Sequence, residues 1–235
     1  MLLALELVFT GLLILAAIAI AGISALVLYK LSRGRTRLFV LPEDLPIELT
    51  PFAFLIGSWK GSGVVSYPVG DAEPTEIEFF QELSFSPLPT GKLEYSSVVR
   101  DAKGKEVSSE RGYWMISRPL NESDAGPGLL PATGESAITV REDLELWRNK
   151  AGGFDIEALI IHPGGVAELY FGQIKGARVD IATDAVLRSP NAKEYSSAHR
   201  MLGLVDGALL WAWDMAALGS PLKSHASARL ERNDA

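Results

Sequence analysis

After residue 50 apolar and polar residues alternate in short runs. Leu209, Trp211 and Trp213 fall on one side of an extended chain, and Val179, Ile181 and Thr183 on one side of another. This is the period-2 spacing of half-buried strands. Such runs predict strands over residues 61–66, 75–85, 92–101, 112–116, 143–148, 154–161, 166–174, 178–185, 194–203, 208–215 and 225–232. Turn signals separate them, among them DAKGK, NKAGG, HPGG, IKGAR and LVDGA. Helical periodicity is almost absent from this part of the chain. Short strands at short, regular spacing predict an all-β antiparallel fold, a closed barrel of about ten strands in preference to a sandwich. Residues 118–143, RPLNESDAGPGLLPATGESAITVRED, interrupt the spacing with three prolines and three glycines. That stretch is too long for a hairpin turn and is expected to be a flexible insertion, with a lid over the barrel mouth as the alternative.

The first residues follow a different pattern. From 7 to 29 the chain reads LVFTGLLILAAIAIAGISALVLY, 23 residues without a charge. As a helix this run would reach about 34 Å, enough to cross a bilayer. A cleaved secretory signal fits less well, because its start should be basic and its apolar core shorter, whereas here only Glu6 precedes the run. The following KLSRGRTR carries Lys30, Arg33, Arg35 and Arg37, and cations on that flank keep it on the cytoplasmic side. The expected organisation is a single-pass transmembrane anchor over 1–30, a basic and then proline-containing linker over 31–50, and a cytoplasmic barrel over 51–232.

Charge and composition narrow the chemistry. Beyond residue 37 there are 18 Lys and Arg against 28 Asp and Glu, a net charge of about −10. Such a domain repels nucleic acid backbones, so no nucleic-acid partner is expected. The chain has no cysteine. Disulfides, iron–sulfur clusters, thiolate nucleophiles, thiolate haem ligands and covalent c-type haem attachment are thereby excluded.

Three histidines remain as candidates for metal or catalytic work. His162 in IIHPGG sits before a turn, and its plainer reading is a surface turn residue. His199 lies within a predicted strand, where a neutral imidazole more often satisfies a local hydrogen bond. Neither has companions at the spacing of a multi-histidine zinc site. His225 follows a break at Gly219 and Pro221 and precedes Ala226, Ser227 and Ala228. Small neighbours leave space beside its ring, which a flat cofactor held through one histidine nitrogen requires. An exposed strand-starting histidine is the plainer alternative.

Beyond these patterns, residues from about 49 to 232 resemble the nitrobindin family, haem-binding barrels related to the fatty-acid-binding proteins and so calycin-like. The resemblance rests on FLIGSWKGSGVVSYP, with Gly57, Trp59, Gly61 and Gly63 in the G-x-W-x-G-x-G motif and Tyr67–Pro68 after it. It continues through ERGYW at 110–114 and from HPGG at 162–165 to the C-terminal DMAALGSPLKSHASARLER. It implies that His225 is the axial ligand of the haem iron and, through that iron, the catalytic group. It also implies a five-coordinate b-type haem that isomerises peroxynitrite to nitrate and binds nitric oxide. The motif residues Gly57, Trp59, Gly61 and Gly63, together with Val69, fall in regions implied to be near the cofactor. A purely structural role for the glycines, and for Trp59 as a plug, stands beside that implication. Lys193 and Arg200 are candidate partners of the haem propionates, against the plainer expectation that strand cations are solvated. The chain departs from the family pattern at Val69, where threonine is usual, at HPGG in place of HPTG, and in its N-terminal segment and 118–143 insertion.

Two further readings accompany this one. The barrel could be a non-enzymatic carrier of an apolar small molecule, or a sensor signalling to a membrane partner. A homodimer is compatible with the sequence.

Overall fold

Alternation builds the fold strand by strand. The computed structural model describes residues 42–67, 75–134 and 136–233. It contains ten strands: β1 (Gly57–Tyr67), β2 (Thr75–Leu88), β3 (Lys92–Arg100), β4 (Glu106–Ile116), β5 (Phe154–His162), β6 (Val166–Lys175), β7 (Arg178–Arg188), β8 (Tyr195–Val205), β9 (Ala208–Ala217) and β10 (Lys223–Arg232). Each pairs antiparallel with its sequence neighbours, and β1 pairs with β10 to close the barrel. Closure removes both sheet edges. On β5, Phe154, Ile156, Ala158 and Ile160 face inward and are buried, the inside–outside pattern that the sequence predicts. Asp206 and Gly207, with φ of 51° and 79°, make the two-residue connection from β8 to β9. Asp-Gly suits it because both central residues of such a hairpin turn need positive φ.

One end of the barrel is plugged. A 3-10 turn, Ile47–Phe52, brings Leu49 and Phe52 into the core with no exposed surface. The packed domain therefore begins within the stretch assigned to the linker. Trp59 donates its indole N–H to the Leu55 carbonyl at 2.7 Å, and the Arg232 guanidinium lies 4.3 Å over its ring. That same guanidinium donates to the carbonyls of Ile56, at 2.6 Å, and Phe54, at 3.2 Å, tying the end of β10 to the start of β1.

One expectation needs correction. The strand predicted over 143–148 is instead a helical turn, α1 (Arg141–Glu145). Asp143 reaches back to accept the main-chain N–H groups of Thr139 and Val140, at 2.9 and 3.1 Å. This caps the turn and overrides the alternating pattern of DLELWR. Parts of the segment over 118–143 contact the plug. Arg118, largely buried, pairs with Asp124 at 2.8 Å and with Glu48 at 3.2 Å. Ile138 and Leu144 join the core. Because strand direction alternates, the β4–β5 connection lies opposite the β3–β4 and β9–β10 turns, away from the mouth. The anchor assigned to residues 1–30 lies outside the described residues. Among the described residues no helix is long and apolar enough to cross a membrane.

Candidate functional site

His225 enters the barrel through an irregularity in β10. Ser224 pairs with Asp214 and Ala226 with Trp213, so the register shifts by one residue at His225. A bulge of this kind re-aims a side chain and breaks the strict alternation. Strict alternation would place His225 outside whenever Ala226, Ala228 and Leu230 are inside. With the bulge, His225 and Ala226 both line the interior. The imidazole hydrogen-bonds to the main chain of Ser66 on β1 and meets Trp213 edge-on, with centroids 5.4 Å apart and planes at 90°. Burial lowers its pKa, since the charged form is poorly solvated there, and the Ser66 contact opposes only part of that shift. The ring is accordingly neutral at physiological pH, as a metal ligand must be.

The cavity it faces has a volume of about 450 Å³. Val65, Ile77, Phe79, Val99, Val107 and Ala226 supply an apolar lining, and small-molecule sites are typically of this size and character. Phe79 stacks on Trp211. Trp211 is anchored to Gln81 at 2.8 Å, and Gln81 to Ser97 at 2.9 Å. A larger depression of about 830 Å³ lies outside the barrel over β8, β9, β10 and β1. It contains neither His225 nor a buried ionisable group, so the smaller cavity is the one with chemistry.

Opposite this apolar wall the interior is ionic. Arg200 on β8 donates to both oxygens of Glu110 on β4, at 2.8 and 2.9 Å, and to Glu168 on β6 at 3.2 Å. Tyr95 donates to Glu110 at 2.6 Å, Tyr170 to Glu168 at 2.8 Å, and Tyr195 to Glu168 as well. His162 stands 2.8 Å from Glu168. Burial alone would raise the Glu110 carboxyl, but the Arg200 charge and its hydrogen bonds hold it down at about 2. Arg200 is thus an ion-paired residue of the interior, and the expectation that strand cations are solvated fails for it. His162 is likewise half-buried in this network and not a plain surface turn residue.

The other candidates fall elsewhere. Gly57, Trp59, Gly61 and Gly63 are not among the residues lining the His225 cavity. Trp59 belongs to the plug. A Cβ on Gly61 or Gly63 would collide with the main chain of Arg229 or Ser227 on β10. Gly61 and Gly63 therefore let β1 approach the strand that carries His225. Lys193 is exposed, and its carbonyl accepts from Arg188 at 3.2 Å. His199 is half-exposed on the outer side, 3.7 Å from Asp214. Val69 lies outside the described residues. Sequence reasoning passed over Glu110 and Glu168. Their signal was phase, because Glu110 alternates with Gly112 and Trp114, and Glu168 with Tyr170, at inward positions.

Residues 48–232 match the family described as THAP4-like, heme-binding beta-barrel domain. The chain belongs to this family. Within this haem-binding barrel family it is 50% identical over 194 residues to a peroxynitrite isomerase of Leifsonia xyli subsp. xyli, covering 82% of this chain and 98% of the relative. It is 49% identical over 197 residues to a peroxynitrite isomerase of Clavibacter michiganensis subsp. michiganensis, covering 83% and 98%. In fold it is similar to the crystal structure of Rv2717c from M. tuberculosis, with a TM-score of 0.60 at 24% identity over 81% of this chain and 99% of the other. The site suits the haem that the family binds. One inward imidazole stands beside an apolar wall of the cavity, Ala226 adjoins it, and two buried indole N–H groups, of Trp114 and Trp213, are without acceptors among the described residues.

Proposed function

We propose that this protein is a haem-dependent peroxynitrite isomerase in which His225 is the axial ligand of a b-type haem. The observation that carries the proposal is the β10 bulge, which turns the one cavity-lining histidine among the described residues into an apolar chamber. Bound haem supplies the iron centre at which peroxynitrite rearranges to nitrate and which also takes up nitric oxide. The chain contributes the rest. His225 presents a neutral nitrogen, and Ser66 holds the ring and opposes its rotation. Val65, Ile77, Val99 and Val107 form the apolar part of the cavity lining, with groups that cannot ligate iron. With no cysteine in the chain, the cofactor is held non-covalently. Peroxynitrite isomerase relatives at about half identity over nearly their whole length support the same reading. Residues 7–29 tether this barrel to the membrane, and Lys30, Arg33, Arg35 and Arg37 keep it on the cytoplasmic side.

The test uses the full chain in detergent, purified from cells and titrated with haem. A Soret band that His225→Ala abolishes, together with haem-dependent nitrate formation from peroxynitrite, is the expected result. An unchanged spectrum in the variant would reject His225 as the ligand. Native mass spectrometry showing lipid and no haem would favour the carrier of an apolar molecule.

A further inference from the structure

One side chain, Trp213, touches both the ionic cluster and His225. It is directly opposite Arg200 in the β8–β9 register and opposite Ala226, beside the bulge, in the β9–β10 register. The Arg200 guanidinium lies 4.2 Å from the centre of its ring. Tyr195 meets it edge-on at 6.5 Å and His162 stacks at 6.4 Å. The indole N–H is buried without a hydrogen-bond partner among the described residues. No directional polar bond therefore sets the pose of this ring. Its faces and edges do so, and Arg200 makes the shortest of those contacts.

Arg200 itself has almost no freedom. Its fork is fixed on both Glu110 oxygens, Nη2 also reaches Glu168, and Nε donates to the Tyr170 hydroxyl at 2.9 Å. A planar guanidinium held this way presents a flat cationic surface, which an ammonium cannot reproduce. Two carboxylates surround the one cation, so it exerts little net positive field on the cavity. Its influence on His225 is carried by contact.

We propose that Arg200 is a positioning residue for the iron ligand, acting through Trp213: the clamped guanidinium seats the indole, and the indole fixes the rotation of the His225 ring. The Ser66 contact and the Trp213 edge then hold the imidazole from two sides. A cation over the face of an indole is attracted by the ring quadrupole, and this favours one ring orientation over a competing one. The inference rests on His225 being the ligand.

The test compares full-length haem-loaded wild type with Arg200→Lys, Trp213→Phe and the double variant. Readouts are the haem dissociation constant and the iron–histidine stretching band in resonance Raman spectra of the ferrous protein. Arg200→Lys keeps the charge and loses the fork, so a shifted or broadened band and about tenfold weaker haem binding are expected. Trp213→Phe leaves the ionic cluster intact and should shift the same band, and the double variant should lose little beyond the worse single one. A folded Arg200→Lys protein with the wild-type band and affinity would overturn the proposal. If Arg200→Lys does not fold, Trp213→Phe decides alone, and an unchanged band there overturns it equally. Failure of His225 as the ligand is a separate result, recognised by a Soret band that survives in His225→Ala.

Discussion

The inner faces of β4, β6 and β8 carry Glu110, Glu168 and Arg200, whereas those of β1, β2, β3 and β10 carry Val65, Phe79, Val99 and Ala226. Both walls follow the same alternation, and both border one interior. Around eight strands, inward side chains just meet across a barrel, and ten leave a gap. On the β4–β8 side long ion-paired and tyrosine side chains fill that gap. On the other side short apolar residues leave it open, and there His225 enters. The filled half is a packed support and the open half holds the candidate site. Trp213 touches both, through Arg200 on one side and His225 on the other.

This division can be broken from either side. The largest effect is expected from Arg200→Ala, which leaves Glu110 and Glu168 buried without their cation. Removing one partner of a buried pair costs about 3–5 kcal/mol, so urea unfolding of the haem-free protein should shift to much lower midpoint. A midpoint near that of wild type would show that water reaches the cluster. Acid should act on the same half next. The Glu110 carboxyl falls from an ordinary value of 4.5 to about 2 on folding. Its contribution to stability is therefore complete above pH of about 4.5 and lost as pH falls towards about 2. Tryptophan fluorescence against pH should show this fall, and Glu110→Gln should flatten it.

Gly63→Ala strikes the open half through its supporting strand. The added methyl meets the Ser227 carbonyl and the Phe79 ring, and such overpacking costs about 1–3 kcal/mol. Haem affinity should fall along with the unfolding midpoint, since β10 carries His225. His225→Ala reverses the pattern. It abolishes haem binding while changing the stability of the haem-free protein by less than about 1 kcal/mol, because a half-buried polar ring is removed from an open cavity. Loss of folding in that variant would mean that the imidazole also supports the barrel. Lys193→Ala should have the smallest effect, leaving the midpoint unchanged, with haem titration as the check on any propionate contact.

Much of this architecture was legible in the residues alone. Period-2 alternation and turn pairs such as Asp206-Gly207 placed ten strands, because those signals depend on neighbours two to four positions apart. The same locality misled at 143–148, where one carboxylate capping the chain outweighed an alternating pattern. The space beside His225 could be read from Ala226 and Ala228. Its inward direction could not, since it depends on a bulge defined by where Trp213 and Asp214 fall on another strand. Arg200, Glu110 and Glu168 lie 32 to 90 positions apart in pairing. Each taken singly looks like a solvated strand residue. A local pattern sets which side of a strand a residue occupies, and that much is written along the chain. Which charges meet across the barrel, and which half is left open, depends on strand register and closure. Those come into being only when β1 and β10 join.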